Sequence, residues 1–189
     1  MKKNLIVFIL LCTVAFRLHA QTADAEMKAW QAYMTPGDIH KMLSKSDGNW
    51  TFESSTWMSP AAPPEKGTGT AVYKMILGGR YQSANFSGNM MGMPFEGQNL
   101  TGYDNMRKVF QSSWVDNMGT GVMQMEGKLD AATKTINFSG KMTDPVSGKD
   151  IMVREKFIFV DDNTQKMEMY DTRDGKETKS MEIIFKRKV

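Results

Sequence analysis

The sequence predicts an all-β protein: a closed, up-and-down antiparallel β-barrel of about ten strands with a short helix before it. Three observations carry this. From Trp50 onward the apolar residues recur with a period of two, turn-forming residues interrupt the pattern about every ten to twelve positions, and no interval between them is long enough for a crossover helix.

The elements follow from those interruptions. Strands are expected at 50–58, 67–77, 80–90, 95–103, 107–116, 120–129, 134–143, 149–161, 165–173 and 177–188. They are divided by Pro60 to Pro64, Gly78-Gly79, Gly92-Met93-Pro94, Asp104-Asn105, Asn117 to Gly119, Ala131 to Lys134, Pro145 to Gly148, Asp161 to Asn163 and Asp174-Gly175. Consecutive hairpins on this scale leave two open sheet edges unless the sheet closes on itself, which is why a barrel is expected rather than an open sheet. Before the strands, Thr35-Pro36-Gly37-Asp38 supplies a capping hydroxyl, a proline for the first helical position and an early acidic residue. Ile39, Met42 and Leu43 then fall at helical spacing, so a short helix ending near Lys45 is expected. Residues 21–34, with Trp30 and Tyr33 three apart, read as a short amphipathic helix or an ordered arm ahead of a single domain over 35–189.

The first twenty residues have the order of a secretory signal: Lys2-Lys3, the apolar run Leu5 to Phe16, then Arg17-Leu18-His19-Ala20. The apolar run is too short to span a bilayer, so cleavage after Ala20 is expected, with export to the periplasm or beyond and no membrane span in the mature chain. Loss of this segment takes with it Cys12, which is the only cysteine, and His19, leaving His40 alone. Disulfides, thiolate chemistry and His/Cys zinc sites are thereby excluded. Loss of Lys2, Lys3 and Arg17 leaves 21 basic residues against 21 acidic ones, and a neutral chain gives no electrostatic case for nucleic acid or an anionic membrane surface. No cofactor is implied, and no feature specifies an oligomer.

Gly48-Asn49-Trp50, between the short helix and the first strand, resembles the Gly-x-Trp signature of lipocalins and the wider calycin group. That resemblance implies that Trp50 plugs the closed end of a barrel and that a basic residue of the last strand packs over its indole. Alternation from Met181 through Ile183 and Phe185 makes Arg187 that residue. Further blocks, Leu77-Gly78-Gly79-Arg80-Tyr81, Met90 to Gly97, Thr101-Gly102-Tyr103-Asp104 and Trp114 to Met118, resemble an uncharacterised bacterial family, domain of unknown function 1579, over roughly residues 35–189. The family implies a calycin-like barrel and carries no assigned catalytic residues.

Candidate ligand contacts come from the alternating faces. Tyr81, Ser83, Asn85, Ser87 and Asn89 share one face, and Phe110, Ser112, Trp114 and Asp116 share another two strands later. If these faces point inward they give a polar, aromatic-walled cavity, and if outward an ordinary wet surface. Tyr81, Asn85, Phe110, Trp114, Met125 and Met169 are the cavity candidates on the first reading. Met91, Met93 and Phe95, in an apolar Gly/Pro-containing segment, are candidates for a lid or rim over the barrel mouth, or for simple packing. Methionine is frequent, 18 in all, with the pairs Met123/Met125 and Met167/Met169 each on one strand face. Soft thioethers could bind copper(I), whereas the plainer role is to fill irregular core gaps, and without His or Cys partners no metal site is assigned.

No nucleophile elbow, phosphate loop, His-Glu-x-x-His or calcium loop occurs. Asp104 and Asp116 with Tyr103 and Arg80 could form an acid/base cluster at the barrel mouth, or the two aspartates could simply be turn residues. The sequence therefore points first to an exported barrel holding a small apolar or amphipathic ligand. The alternatives are a structural or interaction barrel with a filled core, and a metal-independent isomerase- or hydrolase-like enzyme.

Overall fold

Short turns between long alternating runs leave each strand only its sequence neighbours to pair with, and the computed structural model, which describes residues 24–188, shows that outcome. Ten strands pair in sequence order: β1 (Gly48–Thr56), β2 (Glu65–Ile76), β3 (Tyr81–Met90), β4 (Met93–Asp104), β5 (Val109–Asp116), β6 (Met123–Asp130), β7 (Thr135–Thr143), β8 (Asp150–Asp161), β9 (Thr164–Arg173) and β10 (Lys176–Arg187). β1 then pairs antiparallel with β10, with Trp50 opposite Arg187 and Phe52 opposite Phe185, and the barrel is closed. All ten expected strands are present, each within a few residues of its expected bounds.

Two helices precede the strands. The first, α1, covers 24–34 and is a unit apart from the barrel, its Trp30 and Tyr33 rings meeting edge-on at 6.1 Å. The second, α2 (Asp38–Ser44), begins later than its sequence signal implied. Gly37 is its N-cap in place of Thr35, and His40 Nδ1 accepts the Gly37 N–H at 3.1 Å. The Thr35 hydroxyl donates instead to Gln31 O at 2.6 Å. The expected export signal, residues 1–20, lies outside the described residues. Among the described residues no helix is long and apolar enough to cross a membrane.

α2 closes one end of the barrel because its final carbonyls, which have no partner inside the helix, are taken up by barrel side chains. Gln82 Nε2 donates to Leu43 O at 2.7 Å, and Arg187 donates to Lys45 O at 2.5 Å and to Asp47 O at 2.8 Å. The Trp50 indole N–H donates to Ser46 O at 2.8 Å, with the ring fully buried and the Arg187 guanidinium carbon 4.4 Å from its centroid. The opposite end carries the turns after β1, β3, β5, β7 and β9.

Candidate functional site

Inner and outer rows are fixed by burial and register. The inner row of β1 is Trp50, Phe52, Ser54 and Thr56, and that of β3 is Gln82, Ala84, Phe86, Gly88 and Met90. Tyr81, Ser83, Asn85, Ser87 and Asn89 therefore lie on the outer face, and Tyr81 is 40% exposed. This corrects the cavity assignment of Tyr81 and Asn85. Tyr81 instead lies over Gly102 of β4 on the outside, where an added Cβ would come within 2.9 Å of the Tyr81 ring. Asn85 lines a shallow outer groove of ≈ 480 Å³ with Ser87, Glu96, Gln98 and Val115. The remaining cavity candidates, Phe110, Trp114, Met125 and Met169, belong to inner rows.

Met91, Met93 and Phe95 do not form a lid. β4 begins at Met93, two residues earlier than expected, so β3 and β4 are joined only by Met91-Gly92, both with positive φ (52° and 74°). A turn of that length has no slack to open and close. Phe95 is core, 4% exposed and stacked on Trp114 at 6.2 Å, while Met93 is 46% exposed and Met91 packs against the aromatic cluster. The proposed acid/base cluster is likewise not assembled. Asp104 sits at the closed end, its Oδ1 accepting the Met106 and Arg107 N–H groups, whereas Asp116 is at the other end of β5. Eight residues of strand put the two carboxylates on the order of 20 Å apart.

The interior carries a cluster of aromatic rings, with buried polar groups towards both ends. Phe52, Tyr73, Phe86, Phe157 and Phe185 meet one another at centroid separations between 5.9 and 6.3 Å. Several large side chains lie along the wall, because the neighbouring strand presents glycine beneath them. A Cβ on Gly69 would meet the Phe52 ring at 2.5 Å, one on Gly97 the Trp114 ring at 2.6 Å, and one on Gly127 the Phe138 ring at 2.6 Å. Polar groups on the inner face include the linked trio Asn99, Thr101 and Ser112, with Thr101 Oγ1 donating to Asn99 Oδ1 at 2.6 Å and Asn99 Nδ2 to Ser112 Oγ at 2.8 Å. Among the described residues, the Ser54 and Thr56 hydroxyls on β1 are buried and have no hydrogen-bond partner.

The most unusual group in this interior is one the sequence reading passed over. Glu155 lies on the inner row of β8 between Val153 and Phe157, opposite Phe138 on β7 and Met169 on β9. Burial alone pushes its carboxyl up to about 7 from the ordinary 4.5, and among the described residues no cation or hydrogen-bond donor offsets that burial. Glu155 nevertheless keeps partial surface accessibility, as do the inner residues Phe86, Trp114, Phe157 and Met169. Desolvation and accessibility coexist when the free surface faces the inside of the barrel. Tyr73, from β2, is raised by burial and further by the Glu155 charge, which places phenol and carboxyl in one electrostatic environment across the lumen. The signal for Glu155 was available: it sits two residues from both Val153 and Phe157, on the face those residues bury.

At the mouth, Arg173 donates to Asp144 Oδ1 at 2.7 Å and approaches Asp171 Oδ2 at 3.8 Å, and Asp171 Oδ1 accepts the Ser180 hydroxyl at 2.8 Å. The Arg173 and Ser147 hydrogen bonds hold Asp144 down at about 2. At the other end, a pocket of ≈ 260 Å³ lies beneath α2, among Met42, Ser46, Leu129, Phe159 and Gln165.

Comparison with known proteins agrees with this architecture. A family model described as protein of unknown function (DUF1579) matches residues 35–187. Among solved structures, the crystal structure of Rv2717c from M. tuberculosis superposes with a TM-score of 0.61 at 12% identity, covering 82% of this chain and 100% of that one. At that identity the likeness is one of fold alone. No curated protein sequence matches.

Proposed function

The chain belongs to the DUF1579 family of proteins of unknown function, and within that family we propose that it is a carrier whose barrel interior binds a small apolar or amphipathic molecule. The observation that supports this most is Glu155. An uncompensated carboxyl on the inner face of an apolar barrel lowers stability, and such groups are retained where a ligand or a reaction uses them. The wall-hugging side chains over Gly69, Gly97 and Gly127 add to it, since each leaves space nearer the axis, and ten strands enclose a wider lumen than the eight whose interior side chains just fill. Trp114, Phe110, Met125 and Met169 would supply apolar contact, with Tyr73 and Glu155 as the polar contacts.

A filled structural barrel is the competing reading, favoured by the Phe86 and Phe185 rings meeting at 6.2 Å from strands three apart. Methyl-labelled methionine spectra separate the two when 1-octanol is titrated in. The carrier reading expects the inner methyl groups of Met125, Met169 and Met181 to shift together while the exposed Met58 and Met106 stay in place. Shifts confined to exposed methionines would refute it. Residues 1–20 are read as an export signal, so the carrier would work outside the cytoplasm.

A further inference from the structure

The charges that face the lumen are unequal in sign. Alternation places Asp116 (β5), Glu155 (β8) and Asp171 (β9) on the inner face. The two arginines of the inner rows are already engaged. Arg187 is spent on Trp50 and on the carbonyls of Lys45, Asp47 and Asp162 at the closed end, and Arg173 on Asp144 and Asp171 at the mouth. Asp116 accepts the Trp114 indole N–H at 2.6 Å and the Met118 N–H at 2.9 Å, and Asp171 has Ser180 and Arg173. Glu155 is left without a donor among the described residues, and the inner residues flanking and facing it are Val153, Phe157, Phe138 and Met169. The Tyr73 phenol feels the Glu155 charge.

Above about pH 7, where the Glu155 carboxyl is ionised, a ligand entering this site meets an acceptor without a donor, walled by ring faces and a thioether. A carboxylic acid would bring a second acid to the first, and an alcohol would leave the ionised carboxylate without a countercharge. An ammonium satisfies the carboxylate by a charge-assisted hydrogen bond and is tolerated by aromatic faces. We propose that the occupant of the lumen is a cationic amphiphile, an apolar body bearing one protonated amine, which pairs with Glu155. This rests on the carrier reading, because it needs the lumen to be the site.

Calorimetric titration at pH 8 with octylammonium, 1-octanol and octanoate compares one chain with three headgroups. Octylammonium is expected to bind about tenfold to a hundredfold more tightly than octanol, the range of one charge-assisted hydrogen bond, with octanoate weakest. In Glu155→Gln, shown to be folded by its circular dichroism, that preference disappears. Octanol binding as tightly as octylammonium in the native protein, or a preference that survives Glu155→Gln, overturns the amine assignment and leaves the carrier reading standing. Binding of none of the three overturns both.

Discussion

Glu155→Gln gives a stability signature that can be worked out from the structure. The carboxyl titrates at 4.5 when exposed and at about 7 in the folded barrel. The native state therefore holds a proton that the unfolded chain releases from pH 4.5 upward, and stability falls as pH rises through the window between 4.5 and about 7. At about 1.36 kcal/mol per pH unit, the full effect is about 3 kcal/mol, complete a little above pH 7. The other shifted groups do not mimic it. Asp144 and Glu168, both at about 2, lose their contribution only in stronger acid, and Tyr73 titrates in strong base. His40 is lowered by burial and by the nearby Arg80 charge, so its contribution rises with pH up to its ordinary value of 6.5, the opposite direction, and it is present in both proteins. Urea unfolding of native protein and Glu155→Gln from pH 4.5 to 8.5 reads the difference directly. The native curve should fall relative to the glutamine variant by about 3 kcal/mol across that range. Parallel curves would show that Glu155 is solvated in the fold and would remove the main support for a ligand site.

Three further outcomes follow from the same geometry. Trp50→Ala removes a fully buried indole, its hydrogen bond to Ser46 O and its cation–π partner, and should cost about 3–5 kcal/mol in urea unfolding. Arg187→Met keeps the stem but loses the contacts that hold α2 in the barrel end, and should cost about 2 kcal/mol by the same assay. Gly97→Val drives a side chain into the Trp114 ring, so a loss of about 1–3 kcal/mol with altered tryptophan fluorescence is expected.

The strand count was legible because the turns are spelled out. Gly78-Gly79, Gly92 and Asp174-Gly175 all occupy positive φ, where glycine is at ease, and they fall between runs that alternate cleanly. The Trp50 and Arg187 pairing was legible for a related reason, since two-residue alternation counted back from Arg187 gives one face with Phe185, Ile183 and Met181. Facing was harder. On β3 both rows carry one aromatic, Tyr81 outside and Phe86 inside, and the polar row looked the better candidate for a ligand wall. What decides it is crowding from other strands. The inner row needs Gly88 because a Cβ there would run into the Thr68 carbonyl and Gly69 backbone of β2, and Ala84 packs within the aromatic cluster, information that no single strand contains. The Met91-Gly92 turn is shorter than the sequence suggests for a local reason, because Pro94 reads as a strand breaker although Met93 and Pro94 are paired residues of β4. Glu155 was overlooked because Arg154-Glu155-Lys156 looks like a solvated charge run. Its inward position shows only when Val153, Phe157 and Phe159 are taken as one face.

Native mass spectrometry of the protein purified from the cells that make it, compared with the same sample after denaturation, tests the carrier account most directly. A small-molecule mass present in the native spectrum and lost on denaturation is the expected result, and an odd-nitrogen, basic composition would agree with pairing to Glu155. A bare native mass that stays bare when octanol and octylammonium are added would contradict the account and leave the barrel as a scaffold packed by its own side chains.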